Sequence, residues 1–234
     1  MTERQNLFRP VHKGIRSMLY ESGGRLQRMD FTDVAASNAF VHDLKHDLGD
    51  SLSNCLLCLM SVHAKHEERD ILAKLRSHDP GAVDLVMKEH VELTRQVRDV
   101  AKLCDTISAE KEPAARLELG YRLELDANDL FTHYMEHLNH EEDWVVPVMW
   151  QWFTDAQLNA MRAVFYNNLP LSLFETWMRW TLPALNPSEL RVFLTGMASE
   201  PAPNRLADAL RIAKEVLPAA QWKRLESDVR PPPR

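Results

Sequence analysis

Two segments of the chain place a histidine and a glutamate four residues apart. The first, SVHAKHEERDIL, contains His63 and Glu67, and the second, MEHLNHEEDWVV, contains His137 and Glu141. Residues four apart lie on the same face of a helix, about one turn from each other. Each segment therefore offers an imidazole and a carboxylate side by side, a combination that suits iron, manganese or zinc.

A lone histidine precedes each pair, His12 before the first and His90 before the second. The repeated order indicates two helical hairpins with equivalent polar residues. In an antiparallel hairpin, two residues meet when they are equally far from the turn. The midpoint of the first hairpin falls between Ser37 and Asn38, and that of the second falls at Pro113. Both midpoints lie within or just past predicted turns, so each lone histidine is expected at the level of its pair.

The elements that must position these residues are four helices. Helical spacing of apolar residues predicts them over residues 10–29, 39–76, 82–108 and 114–145. Gly23-Gly24 could end or kink the first helix early, and Pro147 is expected to end the fourth. The predicted fold is all-α: an antiparallel up-down-up-down four-helix bundle in residues 1–150, followed by a helical C-terminal extension, residues 151–234.

The C-terminal extension differs in character from the bundle. Residues 150–182 are rich in aromatic side chains, and several prolines divide the extension into short helices, with a last helix expected over residues 204–229. Its role stays open: it could cover the metal-binding end of the bundle and control ligand entry, extend the core, or form a homodimer contact.

A buried cluster of four histidines and two glutamates would be costly without a cation, because desolvation disfavours both carboxylates in their charged form. Two divalent metal ions remove that cost. Glu67 and Glu141, on different helices, are placed to bridge the two ions, and the four histidines would cap them, two for each metal.

The order H…HxxxE…H…HxxxE resembles the hemerythrin-like family, also called HHE cation-binding domains, over about residues 8–147. The resemblance implies an antiparallel bundle with an oxo- or hydroxo-bridged di-iron centre and an open position for a small ligand. It carries over six metal ligands: His12, His63, Glu67, His90, His137 and Glu141. Manganese or zinc could substitute for iron. The invertebrate oxygen carriers of the family have an additional histidine on the third helix, where this chain has Thr94.

Other histidines near the pairs have open roles. His133 lies one turn before His137 and is either a seventh ligand, part of the ligand pocket or a half-exposed side chain. His66 and His140 are expected at the surface. Glu68 and Glu142 are expected to be solvated or to pair with a neighbouring base.

Two further patterns have structural interpretations. His42 and His46 have metal-ligand spacing but would lie far from the main cluster, so a surface pair is favoured. Cys55 and Cys58 form a CxxC pattern, but its apolar helical setting favours buried thiols over a redox site.

Composition limits the alternatives. The net charge of −6 gives no indication of a nucleic-acid or anionic-membrane partner, and no apolar run reaches the ~18 residues of a membrane span. Three cysteines do not form a disulfide framework, and residues 1–10 lack the apolar core of a secretory signal. We therefore expect a cytoplasmic protein.

The predicted function is that of a non-haem di-iron protein that binds O2, NO or peroxide in sensing of, or response to, oxygen, redox or nitrosative stress. Two alternatives remain. One is an enzyme or repair protein that decomposes peroxide or donates iron, and the other is a metal-free helical interaction module.

Overall fold

The computed structural model describes residues 4–45, 55–200 and 205–229. Helices and their connections make up these residues, and no strand occurs among them, so the predicted all-helical class is confirmed. The chain divides into two compact units, which we call the central unit (Met18–Val145) and the terminal unit (Met1–Ser17 and Val146–Arg234).

The central unit contains most of the predicted bundle helices. Helix α1 (Arg9–Leu26) begins in the terminal unit and continues without interruption through Gly23 and Gly24. The other helices of the central unit are α2 (Val34–Lys45), α3 (Leu56–Glu67), α4 (Ala73–Leu75), α5 (Pro80–Ala109) and α6 (Pro113–His140). Two π-helical turns, which are wider than α-helical turns, follow α3 and α6 at Glu68–Leu72 and Glu141–Val145.

Helix α5 shows how the sequence determines these elements. The Asp79 side chain caps its first turn by accepting a hydrogen bond from the Ala82 amide at 3.0 Å, and Pro80 occupies a first-turn position where no amide donor is needed. The predicted stripe that contains His90 is buried, and α5 packs against α2, α3 and α6. His90 is therefore held inside the packed face of the helix.

Arg116 links the connection between α5 and α6 to the beginning of α2 through buried hydrogen bonds. Its side chain is fully buried. Among the described hydrogen bonds it has no carboxylate partner, and its guanidinium instead donates to five acceptors. They are the carbonyl oxygens of Phe31, Ile107 and Glu110, the Ser37 hydroxyl and the Asn38 side-chain oxygen.

The prediction of one helix over residues 39–76 is wrong. Helix α2 already begins at Val34, because Asp33 caps it through the Ala36 amide. Cys55 has an extended backbone, and its sulfur accepts from the Cys58 amide at 3.3 Å, which starts α3 as a separate helix. Residues 46–54, including His46, lie outside the described part of the chain.

The expectation that Pro147 ends the fourth helix is also wrong. The chain passes from α6 through the π-helical turn Glu141–Val145 into α7 (Val146–Trp152). Pro147 lies at the second position of α7, immediately after the wide turn. Proline is tolerated there because the preceding turn has already shifted the backbone hydrogen-bond pattern and made room for its ring.

In the terminal unit, short helices follow α7, as the proline pattern predicted. They are α8 (Asp155–Asn168), α9 (Leu171–Ala184), α10 (Pro187–Ala198), α11 (Leu206–Val216) and α12 (Ala219–Val229). The single helix expected over residues 204–229 is two helices, because Leu217 is extended before Pro218, as residues that precede proline tend to be. Helix α9 packs against α11, and α10 packs against α11 and α12.

Candidate metal centre

Both histidine–glutamate pairs lie where an α-helix changes into a π-helical turn. His63 and Glu67 end α3, and the π-helical turn begins at the next residue. His137 lies in the last turn of α6, and Glu141 is the first residue of the second π-helical turn. Such turns are rare in helices and are frequent at functional sites. The internal repeat in the sequence is therefore matched by a repeated backbone irregularity.

The structure brings five of the six predicted ligands together in the interior of the central unit. One ligand atom each from Glu67, His90, His137 and Glu141 lies within 4.8 Å of the others, and all four side chains are buried. His63 Nε2 lies 3.0 Å from Glu67 Oε1. The imidazole rings of His90 and His137 pack edge to face with centroids 4.8 Å apart, at the register that the second hairpin predicted.

The two carboxylates are common to two overlapping groups. His63 forms a group with Glu67 and Glu141, and these same glutamates belong to the group with His90 and His137. Glu67 directs its two oxygens to different imidazoles, with Oε1 beside His63 and Oε2 3.6 Å from His90 Nε2. Each oxygen of Glu67 therefore faces a different imidazole, so this carboxylate could contribute a ligand atom to either group.

The two buried carboxylates strongly affect the pKa of His90. Burial lowers the pKa of His90, but the hydrogen bonds and charges of Glu141 and Glu67 outweigh burial and raise it to about 10. The two buried carboxylates therefore favour a cation at this position. The donor set fits divalent transition metals, because imidazole and carboxylate ligands bind them and a bound metal ion would displace a proton from His90.

Two glutamates outside the cluster contact the Nδ1 atoms of His90 and His137, the ring nitrogens that face away from the cluster. Glu68 Oε1 lies 3.0 Å from His90 Nδ1, and Glu89 Oε2 lies 2.8 Å from His137 Nδ1. The pairing expected as one alternative for Glu68 is confirmed, whereas Glu89 was missed. Its only sequence signal is its position next to His90, and its partner is on another helix.

A small cavity adjoins the same two imidazoles. Its volume is about 10 Å³, and His90, His137, Thr94 and Tyr134 contribute to its wall, so it has room for about one water-sized molecule. The Tyr134 hydroxyl donates to the Met60 carbonyl oxygen at 3.2 Å. Burial, with a smaller effect of Glu67 and Glu141, holds its pKa well above the ordinary value, so the phenol stays protonated.

His133 and His140 lie on the outer side of His137. His133 is exposed, its Nδ1 is 2.7 Å from Gln96 Nε2, and it belongs to neither ligand group. His140 is more involved than a surface role implies, because its Nδ1 is 2.7 Å from Glu89 Oε1 and its ring stacks on Trp144 at 4.2 Å. With Glu89 they line an open pocket of about 180 Å³.

His12 lies in the first turns of α1, on the part of that helix that belongs to the terminal unit. Its side chain is buried, and its ring packs edge-on against Phe8 with centroids 5.4 Å apart. Its role as the sixth ligand stays a prediction.

The remaining candidates have structural settings. Burial, with a smaller effect of Arg69, lowers the pKa of the half-buried His66 to about 4. Cys55, Cys58 and Cys104 are buried and form no disulfide with one another, in agreement with the interpretation of the CxxC pattern, and burial raises the pKa of Cys104 to about 12.

Comparisons with known proteins add no relative. No protein-family model, curated protein or solved structure matches the chain. Among the described residues, no helix is long and apolar enough to cross a membrane. The functional interpretation therefore depends on the resemblance seen in the ligand order and on the geometry of the buried cluster.

Proposed function

We propose that this protein is a hemerythrin-like non-haem di-iron protein whose bundle is an antiparallel up-down-up-down arrangement of four helices. The observation that carries the proposal is the pair of overlapping ligand groups that share Glu67 and Glu141. His90 and His137 would serve one ion, and His63 with His12 would serve the other. When bound, the iron pair would supply an open coordination position for O2, NO or peroxide.

The size of the adjoining cavity supports a small ligand. Its volume of about 10 Å³ suits a ligand of the size of water or a diatomic molecule. Thr94, which lines it, is one turn after His90 and is exposed to solvent. Its hydroxyl would be available to a ligand bound in the cavity.

Peroxide turnover is a second candidate because Tyr134 keeps its proton at the wall of the same cavity. His133, the other proton donor considered from the sequence, is less suited because it is exposed and does not line this cavity.

The test is the metal content of untagged protein, combined with its visible spectrum before and after reduction and exposure to air. About two irons per chain and a near-ultraviolet charge-transfer band that bleaches on reduction are expected. Protein that takes up no stoichiometric metal after anaerobic reconstitution with Fe²⁺ would contradict the proposal and favour the metal-free interaction module. Reconstitution with Mn²⁺ and Zn²⁺ in parallel identifies the preferred metal, since imidazole and carboxylate ligands accept all three.

A further inference from the structure

Glu89 contacts two histidines at once, one inside the cluster and one outside it. Its Oε2 lies 2.8 Å from His137 Nδ1, and its Oε1 lies 2.7 Å from His140 Nδ1. An ionised carboxylate has no proton to donate, so in each contact the imidazole nitrogen is the donor and Glu89 is the acceptor.

An acceptor at Nδ1 fixes which nitrogen of His137 carries the proton. A neutral imidazole protonates only one nitrogen, so a proton shared with Glu89 leaves the lone pair on Nε2. His137 Nε2 faces the cluster, 3.4 Å from Glu141 Oε2. The contact with Glu89 thus prepares His137 as a ligand through Nε2.

The second oxygen of Glu89, Oε1, is contacted by His140, which lies outside the cluster. His140, which binds it, stacks almost parallel on Trp144, with an interplanar angle of 7°. Because His140 and Trp144 belong to the segment that follows His137, the orientation of Glu89 is fixed from α6 and the π-helical turn after it. Rotation of the carboxylate away from His137 would break both contacts.

The same arrangement occurs at His90. Glu68 Oε1 lies 3.0 Å from His90 Nδ1, while His90 Nε2 faces Glu67 and Glu141. Each of these two carboxylates is next to a proposed ligand in the sequence: Glu68 follows Glu67, and Glu89 precedes His90. Both act on the same ligand group, that of His90 and His137.

We infer that Glu89 is a positioning residue, which holds His137 with its Nε2 lone pair toward the cluster and so sets the affinity of the metal position served by His90 and His137. This inference rests on the proposed metal binding. Partners of this kind orient ligating histidines and raise their basicity, and their loss weakens metal affinity by about 10- to 100-fold.

The test compares Glu89→Gln with Glu136→Gln by Fe²⁺ titration against a competing chelator without oxygen. Glu136 lines the same outer pocket and precedes His137 in sequence, but no described hydrogen bond joins it to that imidazole. The control therefore removes the same charge nearby. We expect Glu89→Gln to weaken one of the two bound ions by about 10-fold or more, and Glu136→Gln to leave both unchanged.

Equal affinities in the two variants would overturn the inference while leaving the proposed function intact, whereas wild-type protein that binds no Fe²⁺ would overturn both. A second measurement needs no variant. Long-range ¹H–¹⁵N spectra of zinc-loaded wild-type protein should show protons on Nδ1 of His137 and His90. A proton on Nε2 of His137 would contradict the inference, whatever the folding of Glu89→Gln.

Discussion

Glu67 and Glu141 differ from the histidines of the cluster because they belong to both ligand groups. Each is fully or almost fully buried, so their charges act on each other and on the imidazoles with little screening by solvent. Loss of a histidine should therefore affect one metal position, and loss of a shared carboxylate should affect both.

Glu67→Gln is expected to abolish binding of both ions, because the amide keeps the shape of the side chain but cannot supply a bridging anion. His63→Ala should lower the stoichiometry to about one ion per chain, held by the group of His90 and His137. Metal analysis after gel filtration, with circular dichroism of the metal-free variants, measures this. Retention of both ions by Glu67→Gln would contradict the bridging role.

The shared helix face of each histidine–glutamate pair could be predicted from the sequence because the spacing within the pair is local and helical. Glu89 could not, because its contact with His137 joins α5 to α6 and depends on how the two helices pack. Glu92 and Glu136 line the same pocket with the same chemistry, and nothing in the sequence alone distinguishes them from Glu89.

Among the elements, the second hairpin was the most accurately predicted. Its helices have long apolar stripes, Asp79 and Pro80 define the start of α5, and the turn at residues 110–112 is short. The π-helical turns were not predicted, because one locally wider turn changes the 3.6-residue spacing of apolar residues too little to be seen in the sequence. The extended backbone at Cys55 was missed for a related reason, since apolar residues continue on both sides of it.

Arg116 gives the hairpin a stability test. Arg116→Ala removes one donor from each of five acceptors, three of them backbone carbonyl oxygens, of which that of Ile107 keeps a bond from the Glu110 amide. Buried acceptors that lose a partner cost about 1–3 kcal/mol each before relaxation, so we expect a loss of about 3–5 kcal/mol in the free energy of unfolding.

Arg122→Ala is the matched control because Arg122 lies on the same helix, is exposed, and makes its described hydrogen bond to Asp126 at the surface. Exposed pairs of this kind contribute little. Urea denaturation of both variants measures the difference, and equal midpoints would show that the buried guanidinium does not stabilise the α5–α6 end.

The N-terminal segment, which contains His12, is grouped with the C-terminal helices and not with the rest of the predicted bundle. His12 is grouped with the terminal unit, while the other five proposed ligands belong to the central unit. The sequence predicted residues 1–150 as one bundle from the repeated ligand order, and that boundary stays a prediction. Whether His12 ligates the metal is therefore a question about the chain as a whole.

Hydrogen exchange with and without metal addresses it. Metal bound only to the folded state stabilises that state, by about 2.7 kcal/mol at a free concentration 100 times the dissociation constant, and slows exchange most where the ligands lie. We expect protection in the peptides that contain His63, His90 and His137, and no local change in α10 (Pro187–Ala198). If His12 is the sixth ligand, its peptide gains protection in wild-type protein and loses that gain in His12→Ala, together with one bound ion. Protection of the His12 peptide that survives this substitution would instead mean that α1 responds to metal only through its packing.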